Sequence, residues 1–149
     1  MVIAANRQDP RSVALLDDHA GLRDLLEQAR QTVARREAPR HEIVDLIDDL
    51  AEAVLEHFQQ EEAGGYFAKA VEAAPQFRQR AEQLCREHAA MVEQIKGLQE
   101  HAACVGESAD WWQTLEHALS RFLACFRSHE AAENTLLQEA YCHDLGAED

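Results

Sequence analysis

Apolar residues recur along most of this chain at steps of three and four, and the repeat divides into four stretches. The first reads Leu15, His19, Leu22, Leu26, Ala29, Val33, and the second Ile43, Ile47, Leu50, Val54, His57, Glu61. The third reads Phe77, Ala81, Leu84, His88, Met91, Ile95, Leu98, Ala102. The fourth is Leu115, Leu119, Phe122, Phe126, His129, Glu133, Leu136, Ala140. Steps of three and four place side chains on one face of an α-helix, so each stretch predicts an amphipathic helix with one stripe turned to a core.

Punctuation residues set the expected limits. Asp9-Pro10 is a cap followed by proline at the first helical position, and Pro39 closes a first helix that runs to about Glu37. A second helix opens near Arg40 and stops at Gly64-Gly65, where a left-handed cap is easily formed. Tyr66 to Pro75 reads as a connector with a short helical turn, and a third helix begins around Gln76. Gly106-Glu107-Ser108 reads as a turn, and a fourth helix extends from about Asp110 to Tyr141. No strand pattern, fixed-period repeat or low-complexity tract interrupts this reading. The expectation is an all-α, antiparallel up-down-up-down four-helix bundle over residues 10–142, with tails at 1–9 and 143–149.

Length and charge narrow the picture. A chain of 149 residues holds one domain with a single core. Acidic residues outnumber basic ones 28 to 14, a net charge of −14, which argues against nucleic acid or an anionic membrane as partner. No segment reaches the ~18–20 apolar residues that cross a bilayer, and Met1 to Pro10 lacks a signal-peptide core, so a cytoplasmic location is expected. The four cysteines, Cys85, Cys104, Cys125 and Cys142, form no Cys-x-x-Cys pair and read as thiols.

The candidate chemistry lies where the repeat is broken by polarity. Each helix puts one histidine on its apolar stripe: His19, His57, His88 and His129. The second and fourth helices add a glutamate one turn later, Glu61 and Glu133. Burying a neutral polar group without a partner costs roughly 2–7 kcal/mol, and a charge costs more, so the stripes require compensation. In an antiparallel bundle the starts of the first and third helices lie level with the ends of the second and fourth. At a rise of about 1.5 Å per residue, all six residues then fall in a slab on the order of 10 Å thick.

Six convergent nitrogen and oxygen donors with no required thiolate suit one or two transition-metal ions, iron or manganese before calcium or magnesium. A glutamate can bridge two ions ~3.5–4 Å apart, so two glutamates from different helices suggest a dinuclear centre. The ferritin-type Glu-x-x-His set is absent, and His129-Glu130 has no second histidine for a zincin motif.

From about His19 to Tyr141 the chain resembles the hemerythrin-like (HHE cation-binding) family. The matching pieces are His19, the run His57-Phe58-Gln59-Gln60-Glu61-Glu62, the lone His88, and His129-Glu130-Ala131-Ala132-Glu133. The resemblance implies a four-helix bundle with an oxo- or hydroxo-bridged di-iron site, with Glu61 and Glu133 as the bridging carboxylates. Zinc and manganese are expected substitutes. Oxygen-carrying members have His-x-x-x-His in the third helix, whereas here Val92 stands four residues after His88. The missing imidazole implies an exchangeable position unless Glu62, Glu93 or a tyrosine such as Tyr66 fills it, and open positions are what catalytic metals retain. Binding, sensing or reacting with O2, peroxide or NO is the favoured reading, with an iron-storage or iron-responsive module as the alternative.

Other polar and aromatic residues receive ordinary assignments. Cys85 and Cys125 read as small buried hydrophobes near His88 and His129. Tyr66 packs in the connector, and His41, His101, His117 and His143 lie off the stripes and are expected at the surface. Trp111 and Trp112 read as a plug at the bundle end.

Overall fold

The computed structural model describes residues 10–63, 66–104 and 108–146, and within these all side chains except those of residues 10–19, 66, 73, 141 and 143–146. The expected tail at 1–9, the Gly64-Gly65 cap and the Gly106-Glu107 part of the turn lie outside the described residues. The described residues are helical with no strand. Helix α1 spans Pro10–Arg35, α2 Arg40–Ala63, α3 Tyr66–Ala73, α4 Arg78–Ala103 and α5 Ala109–Gly146.

Local chemistry sets the ends of these helices. Helix α1 stops at Arg35, short of Glu37, because Arg36 takes a left-handed conformation (φ 54°) and turns the chain. A left-handed non-glycine residue is disfavoured, and here the Arg36 guanidinium is held by Glu116 of α5 at 3.1 and 3.2 Å. The Pro39 carbonyl accepts the first α2 bonds, from the Glu42 and Ile43 amides. The helical turn expected between Tyr66 and Pro75 is two-turn α3, and a single 3-10 turn over Pro75–Phe77 precedes α4. Ser108 caps α5 by accepting the Trp111 amide at 3.3 Å, the usual role of a serine at this position. Helix α5 continues to Gly146 rather than Tyr141.

The four long helices form a ring of neighbours: α2 packs on α4, α4 on α5, and α1 on both α2 and α5. Helix α3 packs on α2, α4 and α5. This is the helical bundle that the four stripes predict. From Leu22 in α1 onward the apolar stripe members are buried, including Ile43, Leu50, Leu98, Leu115 and Phe122, except Phe77, which is half-buried ahead of α4. The largest apolar cluster runs from Trp111 and Trp112 down to Phe58 and Phe126. Two smaller clusters, Phe67, Ala81, Leu84, Leu136 and then Ala70, Ala74, Ala140, lie beyond it, gathered around α3. No described helix is long and apolar enough to cross a membrane.

The tryptophans are buried as a plug, but His101 is not the free surface residue expected. Its Nε2 lies 2.9 Å from the Trp111 carbonyl, the Trp111 indole donates to the His101 carbonyl at 3.0 Å, and the rings stack. His41 and His117 are exposed, and the His143 side chain lies outside the described ones.

Candidate metal centre

Between the large apolar cluster and the two small ones lies a polar layer. Its residues arrive from three helices: His57 and Glu61 from α2, His88 from α4, His129 and Glu133 from α5. All five are buried, Glu61 at 0 % exposure and Glu133 at 1 %. They are core residues because they continue the same helical faces as Val54, Leu84 and Phe126, and packing of those faces carries them inward. His19 is in α1, and its side chain lies outside the described ones.

Glu61 is the hub. Its Oε1 lies 2.5 Å from His57 Nε2, while its Oε2 lies 2.8 Å from His88 Nε2 and 4.0 Å from His129 Nε2. The two oxygens of one carboxylate therefore face different imidazole sets. Glu133 Oε2 is 3.6 Å from His129 Nε2. Two groups of ligand atoms lie within 4.8 Å of one another and are able to hold a metal ion. One is Glu61, His88 and His129; the other is His57, Glu61 and Glu133.

The donor chemistry fits cations. Burial and the adjacent charge of Glu61 push the Glu133 carboxyl up to about 10, helped by hydrogen bonding to Glu61 and by Glu130. Two carboxylates side by side in an apolar core cannot both ionise cheaply without a positive partner. Burial pushes His88 down, but hydrogen bonds to Glu61 and Glu62 and their charges outweigh it, so its affinity for a proton is raised. The same charge arrangement favours a bound metal ion. His88 Nε2 and His129 Nε2 face each other at 3.0 Å. Two nitrogens bound to one ion at about 2.1 Å and at right angles are about 3.0 Å apart, so this spacing is compatible with a shared ion.

Aromatic rings frame the layer. Phe58 stacks on His88 with centroids 4.1 Å apart and sits 5.9 Å from both His57 and His129. Phe67, from α3, is 6.1 Å from His88 and tilted against it. These contacts restrict the imidazoles and exclude water, which strengthens electrostatic interactions within the layer.

Two candidates for the open position, Glu93 and Glu62, stand elsewhere, and the two cysteines expected to be buried are more exposed. Glu93 does not fill the position left by Val92: it is exposed on α4 and pairs with Lys96 at 3.4 Å. Glu62 stands behind His88, at its Nδ1, 3.0 Å away, rather than among the inward Nε2 atoms. Cys125 is exposed and meets Gln94 Nε2 at 3.6 Å, because it lies on the outer edge of the α4–α5 contact. Cys85 is half-buried against the Phe67 cluster, and burial followed by Glu62, Glu61 and Glu82 pushes its thiol up. The Tyr66 side chain lies outside the described ones.

Three participants lie outside the six residues read from the stripes. Glu87 Oε2 is 3.5 Å from His129 Nδ1, Phe58 touches three imidazoles, and Glu130 is buried beside His129. Glu130 accepts from Arg23 of α1 at 3.2 Å, so its charge has a partner outside the layer. Glu130 was readable as the continuation of Leu119, Leu123 and Phe126. Glu87 carries no such mark, being simply the residue before His88.

Neither the curated proteins nor the solved structures contain a chain that matches this one. The model of the hemerythrin HHE cation binding domain matches residues 12–140, which takes in the whole polar layer and most or all of each long helix. This protein belongs to the hemerythrin HHE cation-binding domain family and is a metal-binding helical protein.

Proposed function

We propose that the polar layer holds two transition-metal ions, iron by preference, and that the protein binds, senses or reacts with a small oxidant: O2, peroxide or NO. In this reading His57 and Glu133 hold one ion, His88 and His129 hold the other, and Glu61 spans both. His19 joins them from α1. The observation that carries the proposal is the division of Glu61, one oxygen toward His57 and the other toward His88 and His129. Mixed imidazole and carboxylate donors without thiolate support iron or manganese over calcium or magnesium.

When bound, the ions supply reducing electrons and an exchangeable position for the oxidant. The residues supply the rest. Glu61 and Glu133 would offset part of the charge of the ions, Phe58 and Phe67 keep water from the imidazoles, and Val92 adds no donor on α4. The long helices are read as running up-down-up-down, supported by cross-helix partners whose numbers fall as the others rise. Arg23 meets Glu130 and Arg36 meets Glu116; Asp48 meets Gln99 and Glu62 meets His88. A cytoplasmic location is supported by free Cys85, Cys104, Cys125 and Cys142.

Anaerobic titration with ferrous iron, followed by metal analysis and absorption spectra before and after adding peroxide, tests the proposal. The expected result is two irons per chain and a spectrum that changes with the oxidant. Glu61→Ala should lower iron content while circular dichroism stays helical. Stoichiometric iron that no oxidant perturbs would favour the storage or iron-responsive reading. Full iron loading of Glu61→Ala would remove the assignment.

A further inference from the structure

Resting on the metal-binding reading, the geometry points to Glu62 and Glu87 as positioning residues that hold His88 and His129 in the tautomer able to bind metal. Each glutamate stands at the outer nitrogen of a different imidazole. Glu62 Oε1 is 3.0 Å from His88 Nδ1, and Glu87 Oε2 is 3.5 Å from His129 Nδ1. Both histidines are buried, whereas the glutamate side chains are 51 % and 34 % exposed and so reach the layer from its rim.

An ionised carboxylate only accepts hydrogen bonds, so a ring nitrogen bonded to one carries the hydrogen; His88 faces Glu61 at Nε2 as well as Glu62 at Nδ1, and a metal ion seated at the inner nitrogen leaves Nδ1 as the one that keeps its hydrogen. A neutral imidazole has a single N–H, and fixing it on Nδ1 leaves the Nε2 lone pair pointing inward. For His88 and His129 those inward atoms are the pair that face each other at 3.0 Å. With the opposite tautomer in both rings, two N–H groups would point at one another and no donor would be offered. The outer carboxylates thus keep the single N–H of each ring away from the inner face when an ion is bound, and they increase the basicity of the rings that hold it.

The arrangement follows from helix geometry. Glu62 is next to Glu61, so α2 presents one carboxylate to the inner nitrogen of His88 and the following one to its outer nitrogen. Glu87 precedes His88 on α4, one residue around the helix, which turns it toward α5 and His129. Glu62 has hydrogen-bond geometry, while Glu87 is in ion-pair range without it, so Glu62 carries the larger effect.

The test uses the full chain with Zn2+ as a diamagnetic probe, comparing wild type, Glu62→Ala, Glu62→Gln and Glu87→Ala. Competition with a chromophoric chelator gives zinc affinity, and nitrogen-15 NMR of labelled histidine reports the Nδ1–H protons. Glu62→Ala should weaken zinc binding about 10–100-fold and expose the His88 Nδ1–H to rapid exchange with water. Glu62→Gln keeps an acceptor and should restore much of the proton's protection. Glu87→Ala should do the same to His129 with a smaller loss of affinity. Wild-type zinc affinity and unchanged Nδ1–H exchange in both alanine variants would overturn the inference while leaving the metal site standing. Failure of the wild type itself to bind zinc would remove the metal-binding reading along with it.

Discussion

The two ends of the bundle are built on opposite principles. The end holding Trp111, Trp112, Ile43, Ile47, Leu98 and Leu115 is a dry core in which each helix contributes an apolar stripe. The end holding Glu61, Glu133 and three described histidines interrupts that stripe and leaves only two small apolar clusters beyond it. The first end supplies net stability through burial, at about 25 cal/mol per Å² of apolar surface. The second holds acids that oppose folding until a cation or protons neutralise them. A functional layer is therefore carried by an apolar scaffold next to it, and the scaffold should stand when the layer is emptied.

The harshest way to break this contrast is to damage the dry end. Phe122→Ala should destabilise the protein by about 3–5 kcal/mol, equally with and without metal, because the lost contacts lie in a fully buried position of the large cluster. Urea unfolding of both forms reads this. A loss seen only in the metal-loaded form would mean that the two ends are not separable.

Metal removal probes the other end. Saturation at 100 times Kd stabilises a folded protein by about 2.7 kcal/mol, and a chelator should remove that amount. Hydrogen exchange should then rise most in α3 and in residues 57–63, and least in residues 43–54. Uniform acceleration throughout the chain would contradict the division.

Acidity sharpens the contrast further. The Glu133 carboxyl is raised from 4.5 to about 10 in the folded protein, so without metal the native state binds a proton that the unfolded chain releases. Its stabilising contribution is complete below about pH 4.5 and is lost as pH rises toward 10, with a slope of at most about 1.4 kcal/mol per pH unit. Glu133→Gln should flatten that slope in the metal-free protein. Metal binding to wild type should show the reverse trend and tighten as pH rises, since the ion displaces the proton. Equal slopes for wild type and Glu133→Gln would show that another group controls the titration.

The smallest expected effect is at the rim. Cys125→Ser should leave metal content unchanged and alter stability by less than about 0.5 kcal/mol, because the thiol is exposed and touches only Gln94 among its described polar partners. A marked fall in metal content would place this thiol in the site.

The four long helices and the buried face of each are legible along the chain alone, since a period of three and four is a property of helix geometry and survives without neighbours. It also singled out His57, Glu61, His88, His129 and Glu133, because polarity on an apolar stripe is visible residue by residue. Packing of the helices is what makes Glu61 divide its oxygens between two imidazole sets, sets Glu62 and Glu87 behind the rings, and leaves Cys125 outside. Those facts depend on the rotation and axial offset of one helix against another. Such offsets are set by the packing of many side chains at once, and no single segment of the chain contains them.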